Sequence, residues 1–340
     1  MNISVIGMDI AKHVFHLIGL DKNGKPVLKK KLRRKQLLAY FANLSPCKVS
    51  LESCATSHYW ARELTKLGHQ VTLLPAQHVK PYVRGNKNDY NDALAIAEAS
   101  RFANIRPVAI KTVEQQSIQA LHRLRRSAIG DRTALCNQVR GLLCEFGIII
   151  NKGISSVRKA LPSLLEDAEN GLHYLYREAL DLKYTQLTQL DELIDKLTCM
   201  IQEDAKQHKE IKRLQSIPGF GPIVASTYYS IIGNGRHFAH GRDASASLGL
   251  VPKQHSSGDK NVLLGISKRG DKYLRSLLIH GARSVVKHAH KKEDALNHWV
   301  QRLIERRGKN KATVALANKL ARIAWAVTTR GQAYQVNYGH

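Results

Sequence analysis

The stretch Ile3-Ser-Val-Ile-Gly-Met-Asp-Ile10, read on through His13-Val-Phe-His-Leu-Ile-Gly-Leu20 and Pro26-Val-Leu-Lys-Lys-Lys-Leu32, decides the fold. Apolar and polar residues alternate along it, which is the period of a strand with one face against a core. Asp21-Lys-Asn-Gly24 supplies a turn of the kind that joins antiparallel neighbours. Residues 3 to 32 therefore read as three antiparallel strands, with Asp9 on the first.

Working outward, Leu37 to Leu44 has helical spacing, and Cys47-Lys-Val-Ser-Leu-Glu52 is a short apolar strand suited to pairing parallel with the first. A helix over His58 to Leu67, closed by Gly68, precedes a strand over Gln70 to Leu74. The resulting order β-β-β-α-β-α-β is that of an RNase H-like α/β domain. Asp89 and Asp92 open a further helix, Asp89 to Phe102, where their i,i+3 spacing puts both on one face.

Asp9, Glu52, Asp89 and Asp92 stand out in a chain with 53 Lys+Arg against 27 Asp+Glu. Taken singly, Asp89 reads as a helix N-cap, Asp92 as a first-turn partner of the helix dipole and Glu52 as a solvated strand end. Taken together at strand ends and on one helix turn, they read as ligands for hard divalent cations, Mg2+ first and Mn2+ second. Two such ions about 4 Å apart activate an attacking oxygen and stabilise a leaving one in phosphodiester transfer.

A length of 340 residues and a net charge of +26 allow two or three domains and call for a polyanionic partner. A membrane is disfavoured, since no run of about 18 apolar residues is present. The N-terminus has neither the basic start nor the long apolar run of a signal peptide, so a cytoplasmic protein is expected. Cys47, Cys54, Cys136, Cys144 and Cys199 form no C-x-x-C pair and, being odd in number, no complete disulfide framework. Basic clusters at Lys29–Lys35, His122–Arg126 and Glu305–Lys311 are spread along the chain, which suits a long or multi-stranded nucleic acid held by its phosphates.

Val113 to Phe146 reads as one long helix and residues 147 to 171 as a connector containing Gly153, Pro162 and Gly171. Leu187, Leu190, Ile194, Leu197 and Ile201 keep the three-four spacing of a coiled-coil seam, serving either a helical hairpin or a dimer contact. Ile217-Pro-Gly-Phe-Gly-Pro222 resembles a helix-hairpin-helix turn, in which Gly219 and Gly221 would let the backbone approach a phosphate. Ser256-Ser-Gly258 is ordinary loop chemistry on composition alone. Its neighbours Lys253, His255, Lys260, Lys268, Arg269 and Arg275 would suit a serine nucleophile attacking a phosphate. The expected nucleic-acid contacts are Lys12, Lys87, Arg123, Arg125, Arg126, Gly219, Gly221, Lys253, Lys268, Arg269 and Arg275.

Gly7-Met-Asp-Ile-Ala-Lys12, Leu51-Glu-Ser53, Lys87-Asn-Asp-x-x-Asp-Ala93, Ile217-Pro-Gly-Phe-Gly-Pro222, Leu248-Gly-Leu-Val-Pro252 followed by Ser-Gly, and Ile266-Ser-Lys-Arg-Gly-Asp-x-x-Leu-Arg275 occur in this order. In them the chain resembles, over nearly its whole length, the DEDD transposases of insertion sequences, the bridge-RNA-guided recombinases. The resemblance implies a RuvC-like catalytic domain at 1–147, a connector and coiled coil at 148–210, and a mainly α C-terminal transposase domain at 211–340. It carries the metal-binding tetrad onto Asp9, Glu52, Asp89 and Asp92 and a catalytic serine onto Ser257. Ser256 stands beside that serine, where the family usually has a single serine in a Gln-Ser-Gly context.

What the resemblance implies further is a 5′-phosphoserine intermediate formed in a site shared between protomers of a dimer or tetramer. Donor DNA, target DNA and a structured guide RNA would be the partners. Two other readings are carried: a Holliday-junction resolvase or related nuclease in which water attacks, and an architectural nucleic-acid binder whose acids are structural.

Overall fold

The computed structural model describes residues 3–86, 88–258 and 260–335. The chain divides into two units, Met1–Glu114 with Gly235–Ala239, and Gln115–Asn234 with His240–His340.

The first unit is built on a five-stranded sheet. Strands β1 (Val5–Ile10), β2 (Val14–Leu20) and β3 (Pro26–Arg33) are followed by α1 (Leu37–Ala42), β4 (Lys48–Glu52), α2 (Ser57–Lys66) and β5 (Gln70–Leu74). The sheet order is β3-β2-β1-β4-β5. β1 pairs antiparallel with β2, as the alternation predicts, and parallel with β4, as expected of the short apolar run 47–52. Even-numbered β1 residues Ile6 and Met8 pack with Phe15, Leu17, Phe41, Trp60 and Leu64 under α1 and α2. Odd-numbered Val5 faces the opposite side with Ile18, Leu20, Ala93 and Ala97. The edge strand β3 exposes Lys29, Lys30 and Lys31, charges that discourage pairing with another chain.

Two helices close this unit, α3 (Ala76–Val79) and α4 (Asp89–Ala99). The buried side chains of α4 are Ala93, Ala95, Ile96, Ala97 and Ala99, nearly all small. A Cβ on Gly7 would lie 2.1 Å from the Ala93 carbonyl oxygen, so the missing side chain lets α4 rest directly on β1. The strand-like Arg106-Pro-Val-Ala-Ile110 reduces to one isolated bridge, Leu73 to Val108; Pro107 has no N–H to extend a ladder.

The second unit contains α5 (Val113–Glu145) from Gln115 on, α6 (Ile154–Glu166) and α7 (Tyr174–Gln207). Here the connector expectation is corrected: residues 154–166 form a helix despite Pro162, because Val157 and Leu161, one turn apart, are buried against Leu135, Val139 and Leu143. Asp191 on α7 accepts hydrogen bonds from Arg132 Nη1 on α5 at 2.7 Å and Arg158 Nε on α6 at 3.0 Å, tying the three helices. The seam residues Leu187, Ile194, Leu197 and Ile201 are already buried within one chain, so the hairpin use of that seam is the one realised here.

The remainder is α8 (Lys209–Leu214), α9 (Pro222–Ile232), α10 (Gly241–Ser247), the hairpin β6 (Pro252–Ser257) with β7 (Lys260–Ile266), then α11 (Lys272–His288), α12 (Ala295–Arg307) and α13 (Lys309–Arg330). Ser256-Ser257 thus ends a strand rather than sitting in a loop. Every residue of β6 is exposed, and without a buried face there is no apolar alternation to reveal the strand.

Candidate active site

Backbone register brings the acids together. Asp9 pairs across β1 and β2 with His16, and residues directly opposite in an antiparallel pair project from one face. That face is the one covered by α4. On the other flank, Met8 aligns with Leu51 in the parallel β4, which sets Glu52 at the strand end beside Asp9. The α4 N-terminus completes the set. Asn88, not Asp89, is its cap: the Asn88 side chain accepts from the Tyr90 N–H at 2.9 Å, leaving Asp89 and Asp92 in the first turn with their carboxylates uncommitted to capping.

The acids feel one another. Burial, then Asp92, Asp89 and Glu52, push the Asp9 carboxyl up to about 6, against a smaller opposing pull from the Ile10 N–H. Glu52 is raised by burial and by Asp92. The Cys54 thiol is driven up to about 11 by burial, Glu52 and Asp9, which makes it a poor nucleophile. Among the described residues no lysine or arginine forms an ion pair with any of the four carboxylates, although the chain carries a charge of +26.

One neighbour escapes the sequence reading. His16 is buried and its Nδ1 lies 3.3 Å from Asp89 Oδ2. Asp9, His16 and Asp89 each offer a ligand atom within 4.8 Å of the others. His16 Nδ1 makes no hydrogen bond among the described residues. Hard carboxylate oxygens gathered without a lysine or arginine partner among the described residues, beside a buried nitrogen with no hydrogen bond there, fit a divalent cation.

Lys12 is exposed in the turn between β1 and β2, next to this cluster in sequence. Lys87 lies outside the described residues.

The serines belong to the second unit. The Ser256 hydroxyl donates to Asn261 Oδ1 at 3.0 Å and accepts from Gln254 Nε2 at 2.9 Å. Ser257 is exposed opposite Lys260, and its hydroxyl makes no side-chain hydrogen bond among the described residues. Lys253, Lys268 and Arg269 are exposed on the hairpin and the segment after it. Arg275 departs from the expectation of a phosphate contact: it is buried and donates to the Leu248 and Arg269 carbonyls at 3.0 and 2.8 Å, pinning the two ends of the hairpin segment.

On α5, Arg123 is exposed, Arg125 donates to Thr198 Oγ1 at 2.6 Å and Arg126 stacks over the Tyr273 ring. Gly219 adopts φ +82°, and a Cβ there would meet the Gly281 carbonyl at 2.7 Å. Its glycine is required by the packing of α11, whereas Gly221 is exposed and open at the N-terminus of α9.

Comparison with known proteins gives the family. The family model described as Transposase, that of the DEDD domain of IS110 elements, matches residues 6–148. The one described as Transposase IS116/IS110/IS902 family matches residues 211–297. The chain is 45% identical over 336 residues to a Pseudomonas aeruginosa protein named "Probable family 20 transposase", covering 98% of this chain and 99% of that one. It is 45% identical to the transposase for insertion sequence element IS1111A of Coxiella burnetii, covering 98% and 92%. It is 40% identical to the transposase for insertion sequence element IS1328 of Yersinia enterocolitica, covering 98% and 99%. No described helix is long and apolar enough to cross a membrane. Such likeness along almost the whole length shows that the chain belongs to the IS116/IS110/IS902 family of transposases, enzymes that cleave and rejoin DNA to move insertion sequences.

Proposed function

We propose that this transposase is an RNA-guided recombinase that excises and inserts its element through a covalent phosphoserine intermediate. The observation that carries the reading is the convergence of Asp9, Glu52, Asp89 and Asp92, with no lysine or arginine ion-paired to them among the described residues. These carboxylates would hold Mg2+, or Mn2+ in its place. Bound there, the metal supplies electrostatic stabilisation of a scissile phosphate and of its leaving oxygen.

Ser257 is the nucleophile in this reading, because its hydroxyl makes no side-chain hydrogen bond among the described residues while that of Ser256 is held on both sides. Its Oγ–H loses the proton as Oγ bonds to phosphorus. The bond from phosphorus to the 3′ oxygen of the preceding nucleotide breaks, leaving a 5′-phosphoserine and a free 3′-OH. Attack of another strand's 3′-OH reverses the step and rejoins DNA in a new order. Exposed Lys253, Lys268 and Arg269 favour the approach of phosphate to the serine. Arg123, Gly221 and Lys12 add to the phosphate grip.

The tetrad and serine belong to separate functional segments, 1–147 and 211–340, joined by 148–210, and act on one phosphate across two protomers of a dimer or tetramer in the cytoplasm. Since Leu187, Ile194, Leu197 and Ile201 are buried within the chain, that assembly draws on other surfaces. The net charge of +26 supports simultaneous grip of donor DNA, target DNA and a structured guide RNA. The test of guidance is to purify the protein from its native locus, sequence the RNA that comes with it, and assay recombination with and without that RNA. A discrete species from the element's noncoding flank, required for recombination, is expected. Recombination at full rate without RNA would remove the guide from the account.

A further inference from the structure

We infer that His16 is a metal ligand, its Nδ1 joining Asp9 and Asp89 to make one cation position of mixed nitrogen and oxygen character that favours Mn2+ over Mg2+. The inference rests on the reading of the four acids as a cation site and adds to it a residue and a selectivity.

Three observations carry it. First, placement: His16 lies on β2 directly across from Asp9, on the sheet face that α4 covers, so the register that fixes Asp9 fixes the imidazole as well. Second, burial without a partner: His16 is 6% exposed, yet its Nδ1 has no hydrogen bond among the described residues. A buried polar atom of this kind is costly unless something satisfies it. Third, direction: Asp89 Oδ2 is only 3.3 Å from Nδ1, close enough to pair, but the two atoms are not aligned as donor and acceptor. Two ligand atoms flanking one ion stand in that relation, near each other and each aimed beside the other. The Asp9 oxygen completes the group within 4.8 Å. Glu52 and Asp92 are not part of it.

The ring is also held in place. The Tyr90 ring meets His16 edge to face, with centroids 4.7 Å apart and planes at 75°, and Lys29 Nζ lies 4.4 Å from the Tyr90 ring centre. A ligand whose orientation is set by its surroundings binds better than one free to turn. An imidazole nitrogen in an otherwise carboxylate set shifts preference along the divalent series, because Mg2+ is harder and takes nitrogen reluctantly.

The experiment uses the full chain without nucleic acid, loaded with one equivalent of Mn2+ and read by pulsed electron paramagnetic resonance. Bound Mn2+ is expected to show coupling to a directly ligated 14N, replaced by 15N coupling when the protein is made with 15N-histidine. In His16→Ala that coupling disappears, Mn2+ affinity falls by about tenfold or more, and Mg2+ affinity falls by less. The labelled wild-type protein makes the test independent of how well the variant folds. Mn2+ bound with no nitrogen coupling would overturn the inference and leave the carboxylate site standing. Coupling that persists in a folded His16→Ala protein would overturn it too, by assigning the nitrogen to another histidine. Failure of the folded wild-type chain to bind Mn2+ at all would overturn the carboxylate site along with it.

Discussion

The acid cluster and the serine hairpin are built in opposite ways. Asp9 and Glu52 sit on adjacent strands of a sheet buried on both faces, and Asp89 and Asp92 on a helix seated against β1 through Gly7. The hairpin β6–β7 has no core: β6 is exposed throughout, and Leu263, Leu264 and Val262 of β7 are exposed as well. Isolated two-stranded ribbons are marginal in water. The comparison teaches that the acids are positioned by a buried core, whereas the serine is carried on an exposed ribbon held by its own cross-strand pairing and by Arg275 at its base.

The largest effect expected from that difference is at Asp9. Asp9→Asn should lower strand cleavage by about a hundredfold to a thousandfold, the scale for losing one preorganised electrostatic group, while DNA binding persists. Gel-shift and cleavage assays on the same preparation separate the two. Cleavage at wild-type rate would mean that Asp9 is structural.

Next is Gly7→Ala. The new Cβ would meet the Ala93 carbonyl, so α4 must shift, carrying Asp89 and Asp92 with it. Overpacking of this kind costs about 1–3 kcal/mol, visible as a lower denaturation midpoint. Metal affinity should fall in parallel, and an unshifted midpoint would show that α4 is not seated as described.

The acid cluster should also respond to pH. The Asp9 carboxyl is raised from 3.8 to about 6 by burial and its acidic neighbours, so the folded chain holds this proton more tightly than the unfolded chain. Metal-free stability is therefore fullest below pH 3.8 as far as Asp9 is concerned, and declines as pH rises from 3.8 to about 6. Asp9→Asn should abolish that decline in denaturant titrations at a series of pH values. A divalent cation competes with the same proton, so its affinity should drop roughly tenfold per pH unit below about 6. Calorimetric titration checks this, and a flat affinity across that window would contradict it.

The smallest effect belongs to the hairpin. Ser256→Ala removes the hydroxyl that links Gln254 and Asn261, two exposed hydrogen bonds worth about 1 kcal/mol each at most. A few-fold loss of recombination with unchanged global stability is expected, measured by product yield and thermal melting.

Much of this was legible in the sequence because burial writes itself into residue patterns. The alternation in residues 3 to 32 and the run Lys48–Glu52 mark the strands, and with them the antiparallel and parallel neighbours of β1. What depends on register across strands was not legible: His16 reads as one more residue of an alternating segment until its pairing with Asp9 is known. Punctuation residues misled in the middle, where Pro162 and two glycines suggested a connector and the Val157–Leu161 face made a helix. Arg275 and Gly219 look like phosphate contacts in a basic chain, yet the first pins backbone carbonyls and the second makes room for α11. The strand at Ser256-Ser257 was hidden because it buries nothing.

The central claim is that the clustered carboxylates of the first unit and an exposed serine act on one phosphate, and covalent trapping tests it most directly. Reactions of the full chain with its DNA and RNA, stalled and then denatured, should leave a nucleotide joined to a peptide. Mass spectrometry should place it on Ser257 through a 5′ phosphodiester. Ser257→Ala should remove the adduct, and so should Asp9→Asn, although its serine is intact. DNA cleaved by a Ser257→Ala protein at full rate, with no adduct in the wild type, would contradict the account and assign the attack to water.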